Sequence, residues 1–296
     1  MQVEGSTPLW TAARILLSER GEDFFRRRDK ALKTSEPEDI HDLRVSSRRL
    51  REGLALFAPC YSAGNIARLV RQLKQVTRLM GEIRNADEAI LFFTALAEEM
   101  DAAYRDDLEW IADSFRNGRK KELKRLKAGL KEIAAGELCD MYRRVVNSPS
   151  LFNRQEGDID LFIPLSRFAG EALNERLAAV MKLLPEARQA GEIEAQHLLR
   201  IAVKHFRYRM EILSFLFGDR YEALHGVLKA YQDLLGVMHD LDVFAGIVRQ
   251  AGLTFLMQEP LLGAIAAKRG KLFAEFSMML EKTPFEKIGE GMRSIS

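Results

Sequence analysis

Cysteine is scarce in this sequence, whose 296 residues contain only Cys60 and Cys139. These two residues form neither a CxxC pair nor a cluster with histidine, which argues against a disulfide framework and against a structural zinc site. No apolar run reaches the roughly 18 residues that a membrane-spanning helix needs, and residues 1–10 lack a basic segment followed by an apolar run. We therefore expect a cytoplasmic protein that does not enter a membrane.

Signals for β-strands and for familiar catalytic sites are also missing. The chain shows no sustained polar and apolar alternation and few runs of β-branched residues, which favours an all-α fold. It contains no nucleophile next to a base, no Walker-type glycine loop and no pair of carboxylates at catalytic spacing. We expect a protein that is not an enzyme and has no cofactor.

The formal net charge is only +2, but positive charge is concentrated in two segments. Residues 41–84 contain nine Arg or Lys against three acidic residues, and residues 116–131 contain eight against one. Acidic residues elsewhere in the chain offset this positive charge, which is why the net charge is small. Such local concentration favours a polyanionic ligand.

A helix through residues 41–51 would carry its cations on one side. At about 100° per residue they fall within an arc of roughly 80°, and we call them the first stripe: His41, Arg44, Arg48 and Arg51. A separate arc is apolar and predicts burial against a core: Leu43, Leu50, Leu54 and Phe57. A single charged face is most often only solvated, so this stretch alone does not define a site.

The pattern recurs 156 positions later. The second stripe has the same spacing and nearly the same residue types: His197, Arg200, Lys204 and Arg207. Its apolar partners follow the same order: Leu199, Phe206, Met210 and Leu213. A further match is offset by 155 positions and pairs Lys74, Leu79, Gly81 and Asp87 with Lys229, Leu234, Gly236 and Asp242. The recurrence predicts an internal duplication with domain-sized copies.

The helical pattern divides into two similar bundles. We predict helices over residues 9–33, 36–59, 66–83, 86–100 and 104–135, and then over 166–184, 193–217, 221–238, 242–253 and 261–282. Turn-forming residues interrupt the periodicity between the halves. The predicted organisation is a first repeat at 9–145, a linker at 146–164 and a second repeat at 165–290.

Two matched pairs have predicted local roles at helix junctions. Asp87 and Asp242 could hold arginines of the stripes in position, but capping of the following helix is the preferred interpretation. Gly81 and Gly236 would let two helices approach closely. His239 occupies the position that Arg84 has in the first copy.

If the copies pack around a pseudo-twofold axis, the stripes would line one basic groove for a polyanion. Polyphosphate, nucleic acid and anionic lipid headgroups all offer the oxygens that Arg and Lys bind. Aromatic residues do not alternate with the cations, which weakens a nucleic-acid interpretation, and the apolar arcs are sized for a core, which weakens a membrane interpretation. No carboxylate joins the stripe histidines at metal-ligand spacing, so hydrogen bonding to phosphate or a structural role is favoured for them.

Three segments resemble the CHAD domain family of α-helical histidine domains: 36–51, 197–208 and 235–242. The resemblance extends from about residue 9 to residue 290. It departs from the family pattern at Asn85, where an acidic residue is usual, and at His239, where Arg is common. The family implies two pseudo-twofold-related four-helix bundles around a basic groove or pore that binds inorganic polyphosphate, sometimes at polyphosphate granules.

Carried over by position, the resemblance implies that both stripes contact polyphosphate. Further expected contacts are Arg71, Lys74, Arg78, Arg119, Lys229 and Lys268. The leading hypothesis is non-catalytic polyphosphate binding, possible partners being polyphosphate-metabolising enzymes. One alternative is a metal-dependent phosphohydrolase that uses His41 and His197, and another is an RNA-binding adaptor.

Overall fold

A computed structural model describes residues 2–151 and 159–292, and the regular structure in these ranges is helical apart from one isolated antiparallel bridge between Pro8 and Pro164. The all-α prediction is confirmed. The helices are α1 Leu9–Thr34, α2 Pro37–Leu56, α3 Ala63–Glu99, α4 Arg105–Ala135, α5 Leu138–Val146, α6 Leu165–Ala187, α7 Ile193–Ile212, α8 Tyr221–Gln250, α9 Phe255–Lys282 and α10 Phe285–Met292.

The chain forms two compact units. The first unit comprises Met1–Leu91 and Asp113–Phe168, and the second comprises Phe92–Ala112 and Ala169–Ser296. Helices α3 and α4 each contribute residues to both units. The units are therefore not simply the first and second halves of the sequence, and the repeat boundaries at 9–145 and 165–290 stay a prediction.

Helices α3 and α8 are each continuous where the sequence predicted a break. The predicted ends near residues 84 and 240 are wrong, because apolar residues keep their helical spacing across both positions. Ala86, Ala89 and Phe93 are buried in α3, as are Leu241 and Phe244 in α8. This burial outweighs the few tenths of a kcal/mol by which Asn or Asp disfavours a helix interior.

In the first unit, the short helix α5, which was not predicted from the sequence, packs against α1 through Tyr142. A Cβ at Gly21 would lie 2.2 Å from the Tyr142 ring, so only glycine lets the ring approach this closely. The Tyr142 hydroxyl donates a hydrogen bond to the carbonyl oxygen of Leu17 at 2.5 Å. These contacts fix the helix that precedes α2, which carries the first stripe.

In the second unit, α8 is anchored to α10, the other helix that the sequence did not predict. Tyr231 is fully buried, and its ring stacks on Phe285 with centroids 4.3 Å apart. Its hydroxyl lies 2.9 Å from the carbonyl oxygen of Thr283.

In the residues that the structure describes, no helix combines the length and the apolar character needed to cross a bilayer.

Candidate functional site

The first stripe lies along α2 at the edge of the first unit's core. The helix begins with a proline and has Glu38 and Asp39 in its first turn, where negative charge favours a helix amino end. Its predicted apolar residues are all fully buried: Leu43, Leu50, Leu54 and Phe57. His41 is exposed, whereas the three arginines of the stripe are half-buried. The core therefore holds the stripe on a packed helix.

Helix α3 runs antiparallel to α2 and lies beside the first stripe. The Ser47 and Thr77 hydroxyls share a hydrogen bond of 3.2 Å, and a Cβ at Gly81 would lie 3.7 Å from Nη1 of Arg44. In the second unit, a Cβ at Gly236 would lie 3.9 Å from Nε of Arg200. Both are ordinary contact distances, so close helix approach does not require these glycines, and that prediction is wrong. What the two glycines share is a position facing the stripe arginine.

Arg48 and Arg51 have no hydrogen bond or ion pair with any residue in the described ranges. The Nε atom of Arg51 is buried and lacks a hydrogen-bond partner. Burial and the neighbouring Arg48 lower the pKa of Arg51, and Glu52 only partly opposes this shift. A guanidinium remains charged at neutral pH all the same, so the first stripe keeps two cations that no described residue holds in an ion pair.

A small cavity of about 120 Å³ lies at the amino-terminal end of the first stripe. Its polar lining combines cationic and acidic side chains: Glu38, His41, Arg44, Arg84 and Asp87. Arg84 forms an ion pair with Glu88 at 2.6 Å. The volume suits one small anionic group and is well below that of a typical cofactor pocket.

The second stripe lies along α7, and its last residue has partners within the protein. Arg207 forms a 3.1 Å ion pair with Glu211, with the two side chains only 12% and 8% exposed. Arg207 also donates a hydrogen bond from Nε to Oε1 of Gln232 at 2.9 Å and lies over the Tyr208 ring. Arg207 is thus held by protein groups, unlike Arg51 at the matching position.

The first residue of the second stripe, His197, contacts His239 of α8. Their Nδ1 atoms are 2.9 Å apart, and the ring centroids are 4.2 Å apart. Burial, followed by the charges of Arg200, His197 and Lys204, lowers the pKa of His239 to about 4. His239 was not among the predicted site residues, although its match with Arg84 was the available signal.

The aspartates that match between the copies lie inside α3 and α8, so the prediction that they cap a following helix is wrong. Asp87 forms an ion pair with Arg119 of α4. Asp242 forms one with Arg269 of α9 at 2.5 Å, and Arg269 also donates a 2.6 Å hydrogen bond to Gln196. Each carboxylate therefore holds an arginine of a later helix and not one of a stripe.

The remaining predicted contacts differ in their surroundings. Exposed cations lie on α3 and α8: Arg71, Lys74, Arg78 and Lys229. Arg119 is bound to Asp87, and Lys268 forms a 2.5 Å ion pair with Glu99. A ligand would compete with these carboxylates, so the structure favours the exposed group over Arg119 and Lys268 as additional contacts.

No three His, Cys, Asp or Glu side chains cluster as a possible metal site within residues 2–151 and 159–292. The groove or pore that the two repeats were predicted to form together stays a prediction.

Comparisons with known proteins agree with this architecture. The family model of the CHAD domain matches residues 16–249. No curated protein matches the sequence. The crystal structure of the CHAD domain from the plant Ricinus communis is similar with a TM-score of 0.58 at 21% identity, covering 99% of this chain and 94% of that one. PptA from Streptomyces chartreusis is similar with a TM-score of 0.59 at 16% identity, covering 97% and 99%. The match over most of the sequence shows that the chain belongs to the CHAD domain family.

Proposed function

We propose that this protein binds inorganic polyphosphate through its two stripes and does not hydrolyse it. The observation that carries the proposal is the state of Arg48 and Arg51, which are half-buried cations with no hydrogen bond or ion pair to any described residue. An arrangement of this kind costs stability in the empty protein, because burial and like charges oppose it. A polyanionic ligand would offset that cost.

The chemistry of the stripes suits successive phosphate groups. Arginine can donate two parallel hydrogen bonds to one phosphate, and lysine adds a mobile point charge. Each stripe spans eleven residues of helix, or roughly 15 Å from the first to the last, and presents its cations about one turn apart. A flexible linear polyanion could follow such a row, whereas a single compact anion would use only one or two of the cations.

Two contacts that recur in both units support an origin by internal duplication. A glycine faces the stripe arginine at Gly81 and Arg44, and again at Gly236 and Arg200. An aspartate of the next long helix holds an arginine of a later helix in each unit. On this proposal the two stripes are related copies and both contact polyphosphate, as the family resemblance implies.

The test is a binding titration with long-chain polyphosphate at fixed salt, using Arg44→Ala combined with Arg200→Ala. Each charge-assisted contact is worth roughly 1.5–3 kcal/mol, so we expect the double variant to bind at least about 100-fold more weakly. Affinity should also fall steeply as salt is raised, as for other linear polyanions.

The matched control removes the same charge from exposed positions, with Arg26→Ala combined with Arg249→Ala. This control should lose only the small non-specific share of the affinity. Equal affinity of the two double variants, both folded by circular dichroism, would refute the assignment of the stripes. Phosphate release from polyphosphate with added divalent metal would refute the non-catalytic part.

Cellular location and protein partners rest on the family resemblance alone. Association with polyphosphate granules, or with enzymes that make or degrade polyphosphate, stays a prediction. Fluorescence imaging of the tagged protein in cells with and without polyphosphate would test it, and we expect the localised signal to disappear when the polymer is absent.

A further inference from the structure

The pair formed by His197 and His239 is a feature of the second unit that the proposed function does not yet use. Its Nδ1 atoms are 2.9 Å apart, which is hydrogen-bond distance. Its ring centroids are only 4.2 Å apart with planes inclined by 37°. A contact of this kind needs at least one unprotonated Nδ1, because two protonated nitrogens would both be donors and would repel each other. The empty protein therefore disfavours the doubly charged pair.

Charged groups surround the pair on several sides. From α7, Arg200 and Lys204 act on His239, and both are residues of the second stripe. On α8 itself the nearest acidic residues in sequence are Asp240 and Asp242, and Asp242 is already paired with Arg269 of α9. Arg269 also bonds to Gln196, the residue before His197. The charges that act on His239 are thus those of cationic side chains of α7.

We propose that His197 and His239 belong to the anion site and that the pair takes up a proton when polyphosphate binds. This inference rests on the proposed function. Phosphate oxygens are acceptors only, so they favour a pair in which both rings can donate. They also neutralise Arg200 and Lys204, the charges that otherwise oppose protonation. The bound anion would separate the two Nδ1 atoms and accept from each.

The direction in which affinity changes with pH follows from the protonation state of His239 in the empty protein. The pKa of His239 is lowered there to about 4, so the ring is neutral at pH 7. A bound polyanion raises this pKa toward or above the ordinary value. Affinity should then increase as the pH falls from the pKa of the bound form toward that of the empty form, by up to about tenfold per pH unit for one proton.

The first unit offers a natural control for this mechanism. At the position that matches His239 it has Arg84, which is charged at every relevant pH. His41 of the first stripe is another titratable group, but it has no histidine partner in the described part of the chain. His239→Arg therefore gives the second unit the residue type of the first and leaves His41 unchanged.

The experiment measures proton uptake by titration calorimetry in buffers of different ionisation enthalpy, between about pH 5 and pH 7. Long-chain polyphosphate is used because terminal phosphates titrate in the same range. We expect clear uptake by the unaltered protein and reduced uptake by both His239→Arg and His239→Gln. At pH 7, His239→Arg should bind at least as tightly as the unaltered protein.

Equal proton uptake by the unaltered protein and both variants would overturn the inference while leaving polyphosphate binding intact. Absence of any binding by the unaltered protein would instead overturn the proposed function, and this inference with it. If His239→Gln loses binding and also has a lowered thermal midpoint, the loss of binding reflects a folding defect. The test then rests on His239→Arg. If that variant folds and still takes up the same number of protons, the pair is not the proton acceptor.

Discussion

The two stripes have the same spacing and nearly the same residues, yet their surroundings differ at both ends. Arg51 lacks an ion pair in the described residues, whereas Arg207 is held by Glu211 and Gln232. At the other end, Arg84, which is permanently charged, matches His239, whose pKa is lowered to about 4. A repeat in sequence thus does not give a repeat in available charge, because residues outside the repeated motif decide how much charge each stripe retains.

The largest expected effect comes from removing the unpaired cations of the first stripe. Arg48→Ala combined with Arg51→Ala should weaken polyphosphate binding by at least about 100-fold, since two charge-assisted contacts are lost. Stability should stay the same or rise slightly, because burial and mutual repulsion disfavour these cations in the empty protein. Binding titrations and thermal melts of the same preparation check both parts. A large loss of stability would show that the pair has structural partners.

The second stripe should respond in the opposite way at its matching position. Arg207→Ala should weaken binding by less than about fivefold, because Glu211 already neutralises this cation. It should lower the free energy of unfolding by about 1–3 kcal/mol, since the buried Glu211 carboxylate and the half-buried Gln232 amide lose a donor. Chemical denaturation measures the loss. If Arg207→Ala impaired binding as strongly as the double change in the first stripe, the contrast between the stripes would be wrong.

A smaller effect is expected from the aspartates that hold later helices. Asp242→Asn should lower the free energy of unfolding by about 0.5–1.5 kcal/mol, with little change in affinity, because the carboxylate binds Arg269 and not a stripe residue. Asp87→Asn is the matched change in the first unit, where it releases Arg119. Thermal melts and binding titrations of both variants test this. A tenfold loss of affinity in either variant would show that the ion pair between the aspartate and the later arginine positions the stripe.

The effect that is smallest at pH 7 concerns the pH dependence of stability, because it grows only as the pH falls. His239 has an ordinary pKa of 6.5 when unfolded and about 4 when folded, so the unfolded state takes up a proton first as the pH falls. Stability should therefore decrease as the pH is lowered from about 6.5 to about 4. His239→Gln should show a shallower decrease when denaturation midpoints are compared across this range. Parallel curves for the two proteins would contradict the assigned environment of His239.

The sequence predicted what depends on periodicity alone. The apolar arcs of both stripe helices are buried as expected, from Leu43 and Leu50 to Leu199 and Phe206. This follows because one helical face needs only the local spacing of apolar residues to be recognised. The bounds of α1 and α4 were likewise predicted to within one residue.

The sequence could not predict pairings between distant segments. Arg207 meets Gln232 across 25 positions, and Arg119 meets Asp87 across 32. Neither contact has a local signature, because any exposed acceptor on the facing helix would serve equally well. The helix end predicted near Asn85 is wrong for a similar reason, since burial of the flanking apolar residues overrides the local preference of one polar residue against the helix.

The two stripes should select polyphosphate over other polyanions. The most direct test of this selectivity is competition between labelled long-chain polyphosphate and RNA at equal phosphate concentration and fixed salt. We expect RNA to displace little of the bound polyphosphate, because no aromatic residues alternate with the stripe cations to stack the bases. Displacement by RNA at comparable concentration, or no binding of polyphosphate in the first place, would contradict the account.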